Sequence, residues 1–109
     1  MKRCVLTAFM LAACAAQAQA QNYPQRPIRY IVAFAPGGIN DLSARMVGQK
    51  LADAWGQPVV VDNRPGAGGN LATEMVARSS PDGYTMMNIS TAQAISATLY
   101  SKLGYNLER

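Results

Sequence analysis

Three short apolar runs alternate with three segments of helical periodicity along this chain, and glycine-rich punctuation separates them. The first run, Ile28 to Phe34, is nearly continuous in apolar residues, as expected for a parallel strand covered on both faces. It stops at Ala35-Pro36-Gly37-Gly38, and a helical pattern follows from about Leu42 to Trp55. Leu42, Met46, Val47, Leu51, Ala54 and Trp55 recur at helical spacing and predict the buried stripe, leaving Arg45, Gln49, Lys50 and Asp53 largely elsewhere. Asn40 or Asp41 can cap the start of this helix, and Gly56 fits the residue just beyond its end.

Pro58 to Asp62 reads as a second buried strand, its proline at the entry, where a missing ladder donor is tolerated. A second glycine loop, Asn63 to Asn70, then opens a helix from about Leu71 to Arg78, with Asn70 as N-cap and Glu74 near the positive end of the helix dipole. Pro81-Asp82-Gly83 is turn chemistry. Tyr84 to Ile89 reads as a third strand, and Ser90 or Thr91 can cap a last helix reaching about Tyr100. Trp55, Met86 and Met87 are expected to pack in the core. The order β-α-β-α-β-α with short connections predicts an α/β fold, a parallel sheet with helices on its faces. In such sheets ligands sit beyond the carboxyl ends of the strands, where both glycine loops and Ser90-Thr91 should converge.

The start of the chain has a different character. Lys2 and Arg3 precede an apolar run from Cys4 to Ala16, and Ala18-Gln19-Ala20 forms a small-x-small site. This is the layout of a secretory signal peptide, so residues 1–20 are set apart from residues 21–109. Leu11-Ala12-Ala13-Cys14 also resembles a lipoprotein box, in which Cys14 would be lipidated and become the first residue. Both cysteines lie in this segment, so export implies no disulfide in the remainder. Without Lys2 and Arg3, eight basic residues face six acidic ones, and the formal charge falls from +4 to +2. Those eight cations are scattered singly, which argues against a nucleic-acid surface.

The candidate chemistry is that of an anion site. Glycine loops let backbone N–H groups approach a ligand without a Cβ in the way, and a helix N-terminus favours negative charge. The same loops also fit ordinary βα turns that touch no ligand. Gly66-Ala67-Gly68 supplies half a dinucleotide fingerprint, but Leu71 stands where its third glycine belongs, so no nucleotide cofactor is expected. Asp41 could serve as a general base, although an Asp at a helix start is more often a cap. The chain has no histidine, which removes serine triads and zinc HExxH pairs from this segment. No thiol nucleophile or His/Cys metal site can be built after residue 20.

Four ordered strings, YPQRPIRYIVAFAPGGIND, GQPVVVDNRPGAGGN, ARSSPDGYTMM and LYSKLGYN, together resemble the N-terminal third of the Bug family. These are periplasmic solute-binding proteins of tripartite tricarboxylate transporters. The resemblance implies the first part of lobe 1 of a two-lobed, Venus-flytrap fold that holds a small carboxylate in an interlobe cleft. Such a protein hands its ligand to membrane permease subunits and is not an enzyme. Carried over, ligand binding falls on Phe34, Ala35, Gly37, Gly38 and Asp41, with Gly68, Gly69 and Asn70 beside them and then Ser90 and Thr91. Ile39 stands where relatives often carry a small or polar residue, and its bulk is expected to narrow the cleft or change ligand choice. Relatives continue past Arg109 into the rest of lobe 1 and lobe 2, so the chain reads as a truncated N-terminal fragment. Two other readings are an exported α/β enzyme whose catalytic residues lie in missing sequence, and a lipid-anchored interaction protein resting on Cys14 alone.

Overall fold

The computed structural model describes residues 23–106. The predicted signal peptide, its predicted cleavage site and Cys14 lie outside the described residues. Strand β1, Ile28–Val32, is the centre of the architecture, and Ile28, Ile31 and Val32 are fully buried. Each such side chain contributes about 1.5–3 kcal/mol by leaving water. Helix α1, Ile39–Trp55, leads to β2, Val59–Asn63. A 3-10 turn at Ala67–Gly69 runs into α2, Asn70–Ala77, followed by β3, Thr85–Met87, and α3, Thr91–Leu99.

All three strands are parallel, in the order β2-β1-β3, with Ile28 opposite Val59 and Arg29 opposite Thr85. The α/β expectation and the alternation of elements therefore hold. Because β1 sits between the two strands that follow it, consecutive crossovers diverge from its two sides. Sheets of this order open a crevice at the carboxyl ends of the strands where the connections part, here between β1 and β3.

The two faces of the sheet are packed differently. Tyr30 and Val32 join Ala44 of α1, with Val59, Val61 and Met86 around them. On the opposite face Ile31 and Ala33 join Ala72 of α2, with Phe34, Val76 and Met87. The two methionines thus fill one cluster each, as the sequence predicts.

Helix α1 does not bury the stripe its large side chains predict. Its buried residues are Asp41, Ala44 and Gly48, while Leu42, Met46 and Val47 are exposed. Small residues win this face because the helix lies close on the sheet: a Cβ at Gly48 would stand 3.2 Å from Val59 Cγ1. Trp55 is also partly exposed, set edge-on to Tyr23 with ring centroids 6.3 Å apart. Tyr23 in turn meets Tyr84, over whose ring the Arg26 guanidinium stacks at 4.2 Å. This aromatic cluster secures the amino ends of the strands, opposite the glycine loops.

Candidate functional site

The carboxyl ends of the strands bring two glycine loops and the start of α3 together. In the first loop the N-cap of α1 is Gly38, not Asn40 or Asp41, and no side chain caps it. Asp41 lies within the first turn and reaches back, its Oδ2 accepting from the Gly37 N–H at 2.9 Å and from Arg45 Nε at 3.0 Å. Its Oδ1 accepts from Asn63 Nδ2 at 3.0 Å, and the same amide nitrogen donates to the Phe34 carbonyl at 3.1 Å. One carboxylate, 3% exposed, thereby ties together the end of β1, the loop, α1 and the end of β2. Hydrogen bonds from Arg45, then from the Gly37 N–H and Asn63, hold its pKa at about 2, below the usual 3.8, against the opposing effect of desolvation.

The second loop is built from unusual backbone conformations. Gly66, Ala67, Gly68 and Gly69 all have positive φ, at 146°, 48°, 64° and 94°. Helix α2 begins from Gly69 as N-cap, one residue before the predicted Asn70, again without a side-chain cap. Asn70 Oδ1 instead accepts from the Tyr105 hydroxyl at 2.6 Å. Glu74 lies beyond the first turn of α2 and pairs with Arg78 rather than with the helix dipole.

The third helix has the cap that the other two lack. Ser90 and Gln93 form a reciprocal capping box at the start of α3. The Ser90 hydroxyl accepts from Ala92 N–H at 3.3 Å and donates to Gln93 Oε1 at 2.6 Å, so both of its functions are engaged internally. Thr91 follows as an exposed first helical residue. Asn88, just after β3, donates through Nδ2 to the Asn40 carbonyl at 3.2 Å and ties the β3 end to α1.

Of the predicted residues, Gly37 bonds directly to Asp41, Phe34 and Asp41 are joined through Asn63, and Gly69 and Ser90 meet through Gln93. Ala35, Gly38 and Gly68 are exposed around them. Asn63, Arg45, Asn88 and Gln93 are absent from the predicted site residues. Two of them leave a trace there: Arg45 lies four residues after Asp41, and Ser90-x-x-Gln93 is a capping-box spacing. Beside the rim, a groove of about 570 Å³ runs between Asn63-Arg64-Pro65 and Leu71, Ala72 and Met75 of α2. Among the described residues no group of three or more His, Cys, Asp or Glu side chains is placed to hold a metal ion.

Residues 43–109 match the tripartite tricarboxylate transporter family receptor. The chain belongs to this family. A UPF0065 protein of Bordetella bronchiseptica is 42% identical over 96% of the chain and 32% of its own length. The protein BugT of Bordetella pertussis is 47% identical over 81% of the chain and 27% of its own length. Among solved structures, MatC of Rhodopseudomonas palustris with bound malate is 37% identical and superposes with a TM-score of 0.71, over 76% of this chain and 29% of that one. The chain spans a quarter to a third of the length of the curated relatives it matches. The described residues of this family member carry the β2-β1-β3 sheet and its glycine rim.

Proposed function

We propose that this receptor chain forms the first part of the substrate-binding lobe of an extracytoplasmic solute-binding protein, and that its glycine rim takes a carboxylate of a small organic acid. The observation that carries this reading is the contrast among the helix starts. Helices α1 and α2 begin at glycines with no side-chain cap, both beside the β1 end, whereas α3 is capped by Ser90 and Gln93. First-turn N–H groups need acceptors, and an anion supplies them where the sequence does not. The Gly37 N–H is engaged by Asp41. The Gly69 and Asn70 N–H groups are taken by the Gly66 and Ala67 carbonyls, so the donors left are the first-turn groups that follow Gly38 in α1 and Asn70 in α2.

Arg45 is paired with Asp41, so charge recognition at the first loop falls to the backbone and helix ends rather than to that cation. In this reading a second lobe closes over the rim, the ligand passes to membrane permease subunits, and residues 1–20 direct export to the periplasm. The protein works by capture and release and catalyses nothing. The malate bound to MatC supports a carboxylate as the ligand class. Calorimetric titration of the full-length protein against di- and tricarboxylates, malate included, tests this. Saturable binding weakened by a side chain introduced at Gly38 is expected. Binding of none of the panel would overturn it.

A further inference from the structure

The orientation of the Gln93 amide is dictated by its neighbours. One atom of that amide meets the Ser90 backbone N–H at 3.0 Å, and a backbone N–H can only donate, so this atom is Oε1. Nε2 must therefore point the other way, toward Gly69. A Cβ placed on Gly69 would stand 2.4 Å from Gln93 Nε2 and 3.2 Å from the Ala33 side chain. Gln93 is fully buried, and its Nε2 has no hydrogen-bond partner among the described residues. Capping alone does not account for such an amide, because a glutamate at that position closes the same box. From the other side, Thr73 Oγ1 donates to the Gly69 carbonyl at 2.9 Å and fastens the same glycine to α2.

We propose that Gln93 is a positioning residue of the rim: its amide occupies the space a side chain at position 69 would need, and so keys the second glycine turn, the end of β1 and the start of α3 into one unit. The keying stands on this geometry. Its use in anion capture rests on the carboxylate-binding reading. Gly69, at φ 94°, is both the residue the turn requires and the one that leaves the amide its room. A change at position 69 is thereby transmitted to residues some twenty positions later, at the cap of α3.

Hydrogen exchange on the full-length protein tests this with Gly69→Ala, Gln93→Ser, their combination, and Gln93→Glu. Gly69→Ala should speed exchange of the Ser90 and Ala92 amides by about tenfold while leaving those of Tyr30 and Ile31 unchanged. The double variant should exchange there no faster than Gln93→Ser alone. Multiplying effects, an unaltered α3 start, or an equal rise throughout β1 would overturn the keying. Gln93→Glu keeps the cap, so Ser90 should stay protected while Gly69 and Asn70, whose N–H groups bond to Gly66 and Ala67, exchange about tenfold faster. Unchanged Gly69 and Asn70 would reduce Gln93 to a cap. Malate titration of the same variant separates the two claims: wild-type protein that binds no carboxylate counts against the ligand reading, while the exchange pattern decides the keying.

Discussion

At the first glycine loop one carboxylate gathers the Gly37 N–H, Arg45 and Asn63 around it, whereas at the second, among the described residues, no charged group takes part and the backbone is held by neutral hydrogen bonds and close fit. A Cβ at Gly37 meets nothing within 4 Å, while one at Gly69 meets Gln93 and Ala33. Both glycines have positive φ, so their conformational demands are alike. They differ in what surrounds them. Two stretches that read alike in sequence thus reach one rim by different physics, ionic hydrogen bonding at one and neutral hydrogen bonds with close fit at the other.

The largest effect on this contrast is expected from Asp41→Ala, which takes one acceptor group away from three donors together. The Gly37 amide should lose its exchange protection and the urea midpoint should fall further than in any variant below, with Gly69 still protected. Gly69→Ala should cost about 3 kcal/mol by urea titration, since left-handed strain adds to overpacking. Ser90→Ala should cost about 1 kcal/mol through the lost cap of α3. Gly37→Ala should cost about 1 kcal/mol, strain alone, because its surroundings are open. Equal costs at Gly37 and Gly69 would erase the distinction between the loops.

Acid sharpens it further. A carboxyl whose folded pKa lies at about 2 instead of 3.8 contributes stability that is complete above about pH 4 and is lost as the pH falls toward 2. The amides around Gly37 should therefore loosen across that window. Those of Gly66–Gly69 should follow only with global unfolding, to which Asp62 also contributes because Arg29 and Arg64 hold its carboxyl below the usual range. Amide chemical shifts followed from pH 5 to 2 would check this ordering.

The alternation of elements was legible in the sequence because parallel strands read as apolar runs and Gly-Pro chemistry marks the turns between them. Gly56 ends α1 in the left-handed conformation, and Ser90 caps α3, both as expected. The buried face of α1 was not legible. Periodicity weights large apolar residues, yet close approach to Tyr30 and Val59 selects Ala44 and Gly48 and turns Leu42 and Met46 outward. The caps of α1 and α2 were misplaced for a related reason: Asn and Asp are strong capping residues, but other partners claim them, Tyr105 for Asn70, and Asn63 of β2 with Arg45 one turn along α1 for Asp41. Gln93 left only its capping-box spacing, since its fit against Gly69 joins residues far apart in sequence.

The central claim, that the uncapped starts of α1 and α2 receive one carboxylate, is tested most directly by amide-resolved NMR titration of the full-length protein with malate. The account predicts saturable shifts of Ile39, Asn40, Leu71 and Ala72 with a common midpoint, and small changes at the capped start of α3. Malate binding that shifts residues elsewhere and leaves both glycine loops unmoved would contradict it.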